Sequence, residues 1–509
     1  MSMRRSIVAM LALALGVPVA AAQEAPCAPV PGDDDACEAW ADLFEDFGPS
    51  GFGTWYQRPM IVAGEAAVFS TGAYINPQTG IDPIVTVAYD AATGARRWVS
   101  RYEGPEEGGE AYPWDAALAP DGRTLYVAGS HTTAPPSRMI SGVVVAFDAD
   151  DGSIRWVTST GAGRLRAVDV SPDGGAVYAA GRAGTDLFIA GLDPATGTIG
   201  WSDTYDGPES AGDEALDLAI SPDGERLVVT GQRDYRADWQ IQREWGDIVT
   251  LAYDIEQRSR EWVASHDGPL GGRDTPAGIA VSGDGSRVVV AGTQDSAVME
   301  GRYADDIVVL AYDAATGGIA WSVSRDGPAS SLDWAESVGA SPTGDLVFVT
   351  GALTTLEAAN PEHDLSVEQA MVTTALRVSD GSEAWTTVLD TPGRLTEIGR
   401  DLAVAPGGER LYVTAMSGPL WAGAGVGSQT LSDLPVDAAT IAYDTADGTQ
   451  EWVARYNAAT TGSDPVRPSS MAVAPDGSRV FVLASVNTPV FNPAAKRRTA
   501  AYATLAYDA

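Results

Sequence analysis

The sequence predicts an all-β fold, an eight-bladed propeller of four-stranded antiparallel blades whose ring is closed by an N-terminal strand. Three observations carry that prediction. The stretch AYDAATGARRW, Ala88 to Trp98, returns as AFDADDGSIRW from Ala146, AYDIEQRSREW from Ala252, AYDAATGGIAW from Ala311 and AYDTADGTQEW from Ala442. Looser copies read GLDPATGTIGW from Gly191 and ALRVSDGSEAW from Ala375. A second motif alternates with the first, as in LAISPDGERLVVTG from Leu218 and MAVAPDGSRVFVLA from Met471. Finally, the chain stops at Ala509 on a bare AYDA, with the rest of the motif missing.

Each motif reads as a hairpin. The first joins strands C and D of a unit: a β-branched run such as DIVTL from Asp247 leads into Tyr-Asp, and the tryptophan opens the next run, as in WVASH from Trp262. Its aspartate can accept the turn's backbone N–H groups, and its glycine supplies a positive φ where the chain reverses. The tryptophan then fills the gap between neighbouring sheets, worth roughly 4–6 kcal/mol as an upper bound on its burial. The second motif joins strands A and B around Pro-Asp-Gly. Tryptophans of the first motif recur every 45 to 67 residues from Trp98 to Trp452, the period of a propeller blade.

The A–B hairpin occurs eight times, counting the degenerate MIVAGEAAVFSTG from Met60, but a tryptophan-bearing strand D follows only seven strands C. The stretch GTWYQR, Gly53 to Arg58, is expected to supply the missing strand by pairing with AYATLAYD from Ala501, removing two open sheet edges.

This divides the chain into residues 1–22, 23–52 and 53–509. The opening MSMRRSIVAMLALALGVPVAAAQ has the charged start, apolar run and small-residue end of a signal peptide, so a secreted protein, extracellular or periplasmic, is expected. In the tail, export would allow one disulfide between Cys27 and Cys37. DDDACEAWADLFEDFG places Cys37, Trp40, Leu43, Phe44 and Phe47 at helical spacing, with Asp34 or Asp35 as cap, and predicts a short helix packed on the propeller. The formal net charge of −37 argues against nucleic acid and anionic membranes as partners; a monomer is expected.

The pattern Ala-x-Asp-x-x-x-Gly-x-x-x-Trp resembles the tryptophan-docking motif of eight-bladed quinoprotein alcohol dehydrogenase-like (PQQ-like) propellers. DIVTLAYD followed by EWVASHDGP is similar to bacterial secreted β-propeller repeats of the SBBP type. The resemblance spans Gly53 to Ala509 and implies the fold rather than an activity. The quinoprotein enzymes also carry adjacent cysteines at the quinone, or a haem-attachment motif, and a calcium site. Here no cysteine follows Cys37, and no position matches those calcium ligands, so no quinone cofactor is expected. No GxSxG, HExxH or Walker-type motif occurs; DADDGS at Asp148 lacks calcium-loop spacing, and GAGVG at Gly423 does not open a helix.

Any site should therefore sit on the face that carries the variable B–C and D–A loops, opposite the uniform turns. Tyr235, Trp239, Trp245, Tyr303, Trp334 and Trp421 fall there and suit stacking on a sugar or gripping a peptide. His131, His266 and His363 fall on the same face, as loop residues without a shared role. Asp213, Asp274, Asp333 and Glu397 occupy equivalent registers before strand A and are candidate ligands for a calcium-like cation. The favoured reading is a secreted binding or scaffold propeller recognising a glycan, peptide or protein partner through this face. The alternative is a divergent enzyme, a quinoprotein-like oxidoreductase or a metal-assisted hydrolase or lyase, with its site at the channel mouth on the same face.

Overall fold

The computed structural model describes residues 38–44, 59–73, 83–106, 109–134, 137–238, 243–299, 302–329, 331–358, 366–391, 396–418, 421–422, 436–456, 466–492 and 497–509. Among them the chain is all strand and turn, without a helix. The strands group into eight antiparallel four-stranded units, numbered here as blades 1 to 8 along the chain. Blade 1 holds Met60–Ala63, Ala67–Ala73, Ile84–Asp90 and Arg96–Tyr102 as strands A to D. One continuous strand, Ile154–Val170, serves as strand D of blade 2 and strand A of blade 3.

The repeat now has its physical explanation. The tryptophan of one blade docks on the C–D turn of the next: Nε1 of Trp98 donates to Ala149 O at 3.0 Å, Trp262 to Ala314 O at 3.0 Å and Trp385 to Thr445 O at 2.8 Å. The ring lies over the motif glycine. A Cβ on Gly317, for example, would sit 2.6 Å from Trp262, and its φ is +69°. Glycine is favoured there twice over, for the left-handed backbone and for the ring above it. The motif tyrosine completes the stack, with Trp262 and Tyr312 centroids 6.1 Å apart. The hydrophobic core is thus a series of inter-blade layers, such as the one joining Val228 and Ile248 of blade 4 to Val288, Val308 and Leu310 of blade 5.

The segment that completes blade 8 differs from the one expected. Strand C of that blade, Arg497–Asp508, pairs with Glu38–Phe44, in register from Glu38 opposite Tyr507 to Phe44 opposite Tyr502. The predicted helix is therefore a strand, and it takes the position expected for Gly53 to Arg58. Those six residues lie outside the described ones, as do Cys27, Cys37 and the segment 1–22. Physical reasons favour the strand: a helix this short is marginal on its own, whereas strand C offers an unpaired row of backbone groups. Trp40 and Phe44 fall on one side of the strand, 7% and 2% exposed, and join a core cluster with Val68 and Tyr89 of blade 1.

Strand A of each of blades 2 to 8 contains a β-bulge at the same place, between Ala215 and Asp217 in blade 4 and between Gly399 and Asp401 in blade 7. In blade 4 the facing residue on strand B is Gly231, where a Cβ would meet Glu214 O at 2.1 Å. A bulge re-aims side chains, and here the bulged positions line an axial cavity.

Candidate functional site

The B–C and D–A connections share one face, tied together by backbone bonds: Asp213 N donates to Thr185 O at 2.7 Å, Asp274 N to Gly246 O at 2.7 Å and Asp333 N to Asp305 O at 2.9 Å. On this face blades 4, 5 and 6, together with blade 8, whose B and C strands run 14 and 12 residues, are taller than the rest. The B and C strands run 13 and 12 residues in blades 4, 5 and 6, against 7 and 7 in blade 3. The far end of the blade 6 hairpin gains a short strand from the neighbouring blade: Trp421 pairs with Val367 and Ala422 with Ser366.

The four candidate carboxylates do occupy equivalent positions, and all are fully buried. Each accepts from a backbone N–H six residues earlier: Asp213 from Gly207 at 2.9 Å, Asp274 from Gly268, Asp333 from Gly327 and Glu397 from Thr391. The other oxygen accepts from strand B, through Asp234 N, Asp295 N, Thr354 N and Ser417 Oγ respectively. Each therefore clips its own D–A loop to its own blade. Burial pushes Asp213, Asp274 and Asp333 above the usual carboxylate range, Asp333 to about 6, against the opposing pull of these N–H groups.

Three of the four are joined by two further aspartates. Oxygens of Asp186, Asp206 and Asp213 lie within 4.8 Å of one another, and the same holds for Asp247, Asp267 and Asp274 and for Asp306, Asp326 and Asp333. In every triad one aspartate lies on strand C, one lies exposed in an Asp-Gly-Pro loop, and one is the buried clip. Glu397 stands apart, with Arg455 3.9 Å away and also bonded to Ser417 Oγ.

Of the aromatics, Tyr235 and Trp245 share the blade 4 hairpin and are half-buried. The Arg273 guanidinium lies 5.7 Å from the Tyr235 ring centroid, and Arg273 bridges to Gly246, next to Trp245. Trp334 begins strand A of blade 6 and donates to Glu336 Oε1 at 3.1 Å. Tyr303 lies on strand C of blade 5 opposite Val298, and Trp239 lies outside the described residues. The histidines are not one group. His131 is 3% exposed, held between Tyr102 Oη at 2.7 Å and Ser159 Oγ at 3.0 Å, and burial lowers its pKa, so it is a core residue rather than an exposed loop one. His266 bonds Gln294, and His363 lies outside the described residues.

The axial residues are ones that sequence reasoning missed. A cavity of about 220 Å³ is lined by Asp217, Glu336, Arg400, Asp401 and Ser470 among others. Asp115 accepts from Ala116 N and, across the blade boundary, from Val168 N, both at 2.8 Å. Asp217 does the same with Leu218 N and Ile279 N, and Asp401 with Leu402 N and Met471 N. Burial, with neighbouring carboxylates adding to it, pushes Asp115 up to about 8 and Asp217 to about 7; burial alone raises Asp169 to about 6. Arg166 stacks 3.7 Å from the Trp114 ring and bonds Glu214, and Arg400 bonds Glu336. The signal was in the repeat: an aspartate stands seven residues before the turn glycine at Asp115, Asp217 and Asp401.

With this geometry in hand, similarity to known proteins narrows the fold. A family model described as outer membrane protein assembly factor BamB matches residues 83–234 and 141–305. The quinohemoprotein alcohol dehydrogenase of Comamonas testosteroni superposes with a TM-score of 0.52 at 14% identity, over 93% of this chain and 76% of that one. The fold is a PQQ-like β-propeller. Hydrazine synthase of Kuenenia stuttgartiensis is similar at a TM-score of 0.44 and 16% identity, over 76% of this chain and 94% of that one. No curated protein matches the sequence. A shared fold does not carry an activity, so activity must be argued from this chain's own site.

Proposed function

We propose that this PQQ-like propeller is an exported binding or scaffold protein that engages a glycan, peptide or protein partner with its loop face over blades 4 to 6. One observation carries the reading: three adjacent blades extend their B–C hairpins to 13 and 12 residues and so raise a continuous wall, whereas the equally long strands of blade 8 stand between shorter neighbours, and the turn face stays uniform. That wall carries Tyr235 and Trp245, with the Arg273 guanidinium of the adjoining D–A loop 5.7 Å from the Tyr235 ring centroid, aromatic and cationic groups suited to a sugar ring or a peptide side chain. The name of the matching family model, an outer membrane protein assembly factor, fits a scaffold role better than a catalytic one.

The enzyme alternative would place its chemistry in the axial cavity, where Asp217 is shifted to about 7, a value suited to proton transfer. Both oxygens of Asp217 are engaged by backbone N–H groups, however, which suits a clip between blades 4 and 5. The cavity lining presents three carboxylates, Asp217, Glu336 and Asp401, against one guanidinium, Arg400, an unfavourable balance for pyrroloquinoline quinone, a tricarboxylate.

The test is a glycan and peptide array probed with the parent and with the double variant Tyr235→Ala, Trp245→Ala. The parent should select ligands, and the variant should lose them by about tenfold or more. Equal binding by the two proteins, or none by the parent, would overturn the reading.

A further inference from the structure

The triad at the junction of blades 4 and 5 has a feature the other two lack. Asp295, on strand B of blade 5, is 2% exposed, and neither of its carboxylate oxygens has a hydrogen-bond partner. Its backbone N–H already serves Asp274 Oδ1. Its side chain turns toward the same place: a Cβ on Gly268 would lie 2.6 Å from Asp274 Oδ1 and 2.7 Å from Asp295 Oδ1, and one on Gly272 would strike Asp295 Oδ2. Two glycines thus leave room for a carboxylate that nothing in the protein satisfies.

At the neighbouring junctions this position is resolved internally. Between blades 3 and 4 it is Asp234, whose Oδ1 accepts from Glu209 N at 2.9 Å. Between blades 5 and 6 it is Thr354, whose hydroxyl donates to Leu332 O at 2.6 Å. A buried, unpaired carboxylate beside a second buried carboxylate is costly unless a cation accompanies it. Arg233 does not fill that role, since it pairs with Asp247 Oδ2 at 2.6 Å.

We propose that Asp247, Asp267, Asp274 and Asp295 form a divalent-cation site of the calcium class at the junction of blades 4 and 5. The donor set is entirely carboxylate oxygen, which selects a hard ion over zinc or copper. The triad oxygens lie within 4.8 Å of one another, the span of ligands shared by one ion at about 2.4 Å. Asp267 supplies the exposed entry side, while Asp274 and Asp295 form the buried floor. The ion would pin the D–A loop against the base of the hairpin that carries Tyr235 and Trp245. The site stands whether or not that hairpin binds a partner.

The full chain, stripped with a chelator, is titrated calorimetrically with calcium chloride and, in parallel, magnesium chloride. The parent should bind calcium in preference to magnesium, and its thermal midpoint should rise by about 3 °C at a hundredfold excess over Kd. Asp295→Asn should weaken calcium binding by about tenfold or more. Without calcium it should melt at or above the parent's midpoint, because it removes a buried unpaired charge. Asp267→Asn, at an exposed position that cannot threaten folding, should also weaken binding. The proposal is overturned if the parent binds no calcium up to about 10 mM, beyond the range of weak extracellular sites. Parent affinity in Asp267→Asn, or in a folded Asp295→Asn, overturns it equally.

Discussion

Nε1 of Trp40 donates to the carbonyl oxygen of Ala91 at 3.1 Å, across 51 residues of sequence. That bond repeats what Trp98 makes to Ala149, so the N-terminal strand docks blade 8 on blade 1 by the same contact that docks blade 1 on blade 2. A Cβ on Gly94 would sit 2.5 Å from the Trp40 ring, and Tyr89 stacks 5.8 Å away. Beside it Arg96 clasps Asp42 with two bonds, at 2.8 and 3.1 Å.

Trp40→Ala should therefore destabilise the protein by about 3 kcal/mol, as expected for a buried tryptophan, and Trp98→Ala by a similar amount. Denaturant unfolding followed by circular dichroism measures both. An unchanged midpoint for Trp40→Ala would mean the N-terminal strand does not hold blades 8 and 1 together.

Blade 4 departs from the motif in one place. Where other copies carry glycine, it carries Arg258 at φ +55°, an exposed residue in the left-handed region. Arg258→Gly should stabilise the protein by about 1 kcal/mol, by relieving the Cβ clash of that conformation. A lower melting midpoint in the variant would show that the arginine side chain contributes more than the strain costs.

How much of this could be read in the sequence depends on the kind of interaction. The blade-docking contacts are written into a local repeat, so Trp98, Gly152 and the turn aspartates could be placed from spacing alone. The closing strand is harder to read, because Cys37, Trp40, Leu43 and Phe44 also fit a helical period and the pairing with Tyr502 to Tyr507 is remote in sequence. The blade period did contain the correction: Trp40 stands 58 residues before Trp98, inside the range of the other copies, whereas Trp55 stands 43 before it. The triads were half visible. Asp186, Asp247 and Asp306 each precede an Asp-Gly-Pro aspartate by 20 residues and a clip by a further 7, but only the clips are expected as ligands from their register before strand A. Asp295 carries no sequence signal, because what distinguishes it is the absence of a partner in three dimensions.

The axial carboxylates make stability depend on pH in a definite direction. Asp115, Asp217 and Asp169 have folded pKa values raised to about 8, 7 and 6, above their unfolded value near 3.8. The native state therefore binds more protons between about pH 4 and pH 8, and stability falls as pH rises through that window. The turn aspartates Asp193, Asp313, Asp380 and Asp447 are shifted downward by hydrogen bonds from threonine or serine, so their contribution is lost only below about pH 4. Maximum stability should lie near pH 5. Because the net charge of −37 acts in the same direction, the informative reading is the difference between variants and parent. Asp115→Asn and Asp217→Asn should each flatten the fall in melting midpoint from pH 5 to pH 8 by about 3 °C. An unaltered slope would mean these clips do not titrate with folding.

The claim that the loop face over blades 4 to 6 is the binding surface is tested most directly by amide hydrogen exchange on the full chain, with and without a ligand selected on the arrays. Protection should appear in the blade 4 hairpin, Arg226–Asp238 and Arg243–Asp254, and in the loop around Arg273. The Pro-Asp-Gly turns on the opposite face, such as the one at Gly224, should exchange as before. Protection confined to those turns, or spread over neither region, would contradict the account.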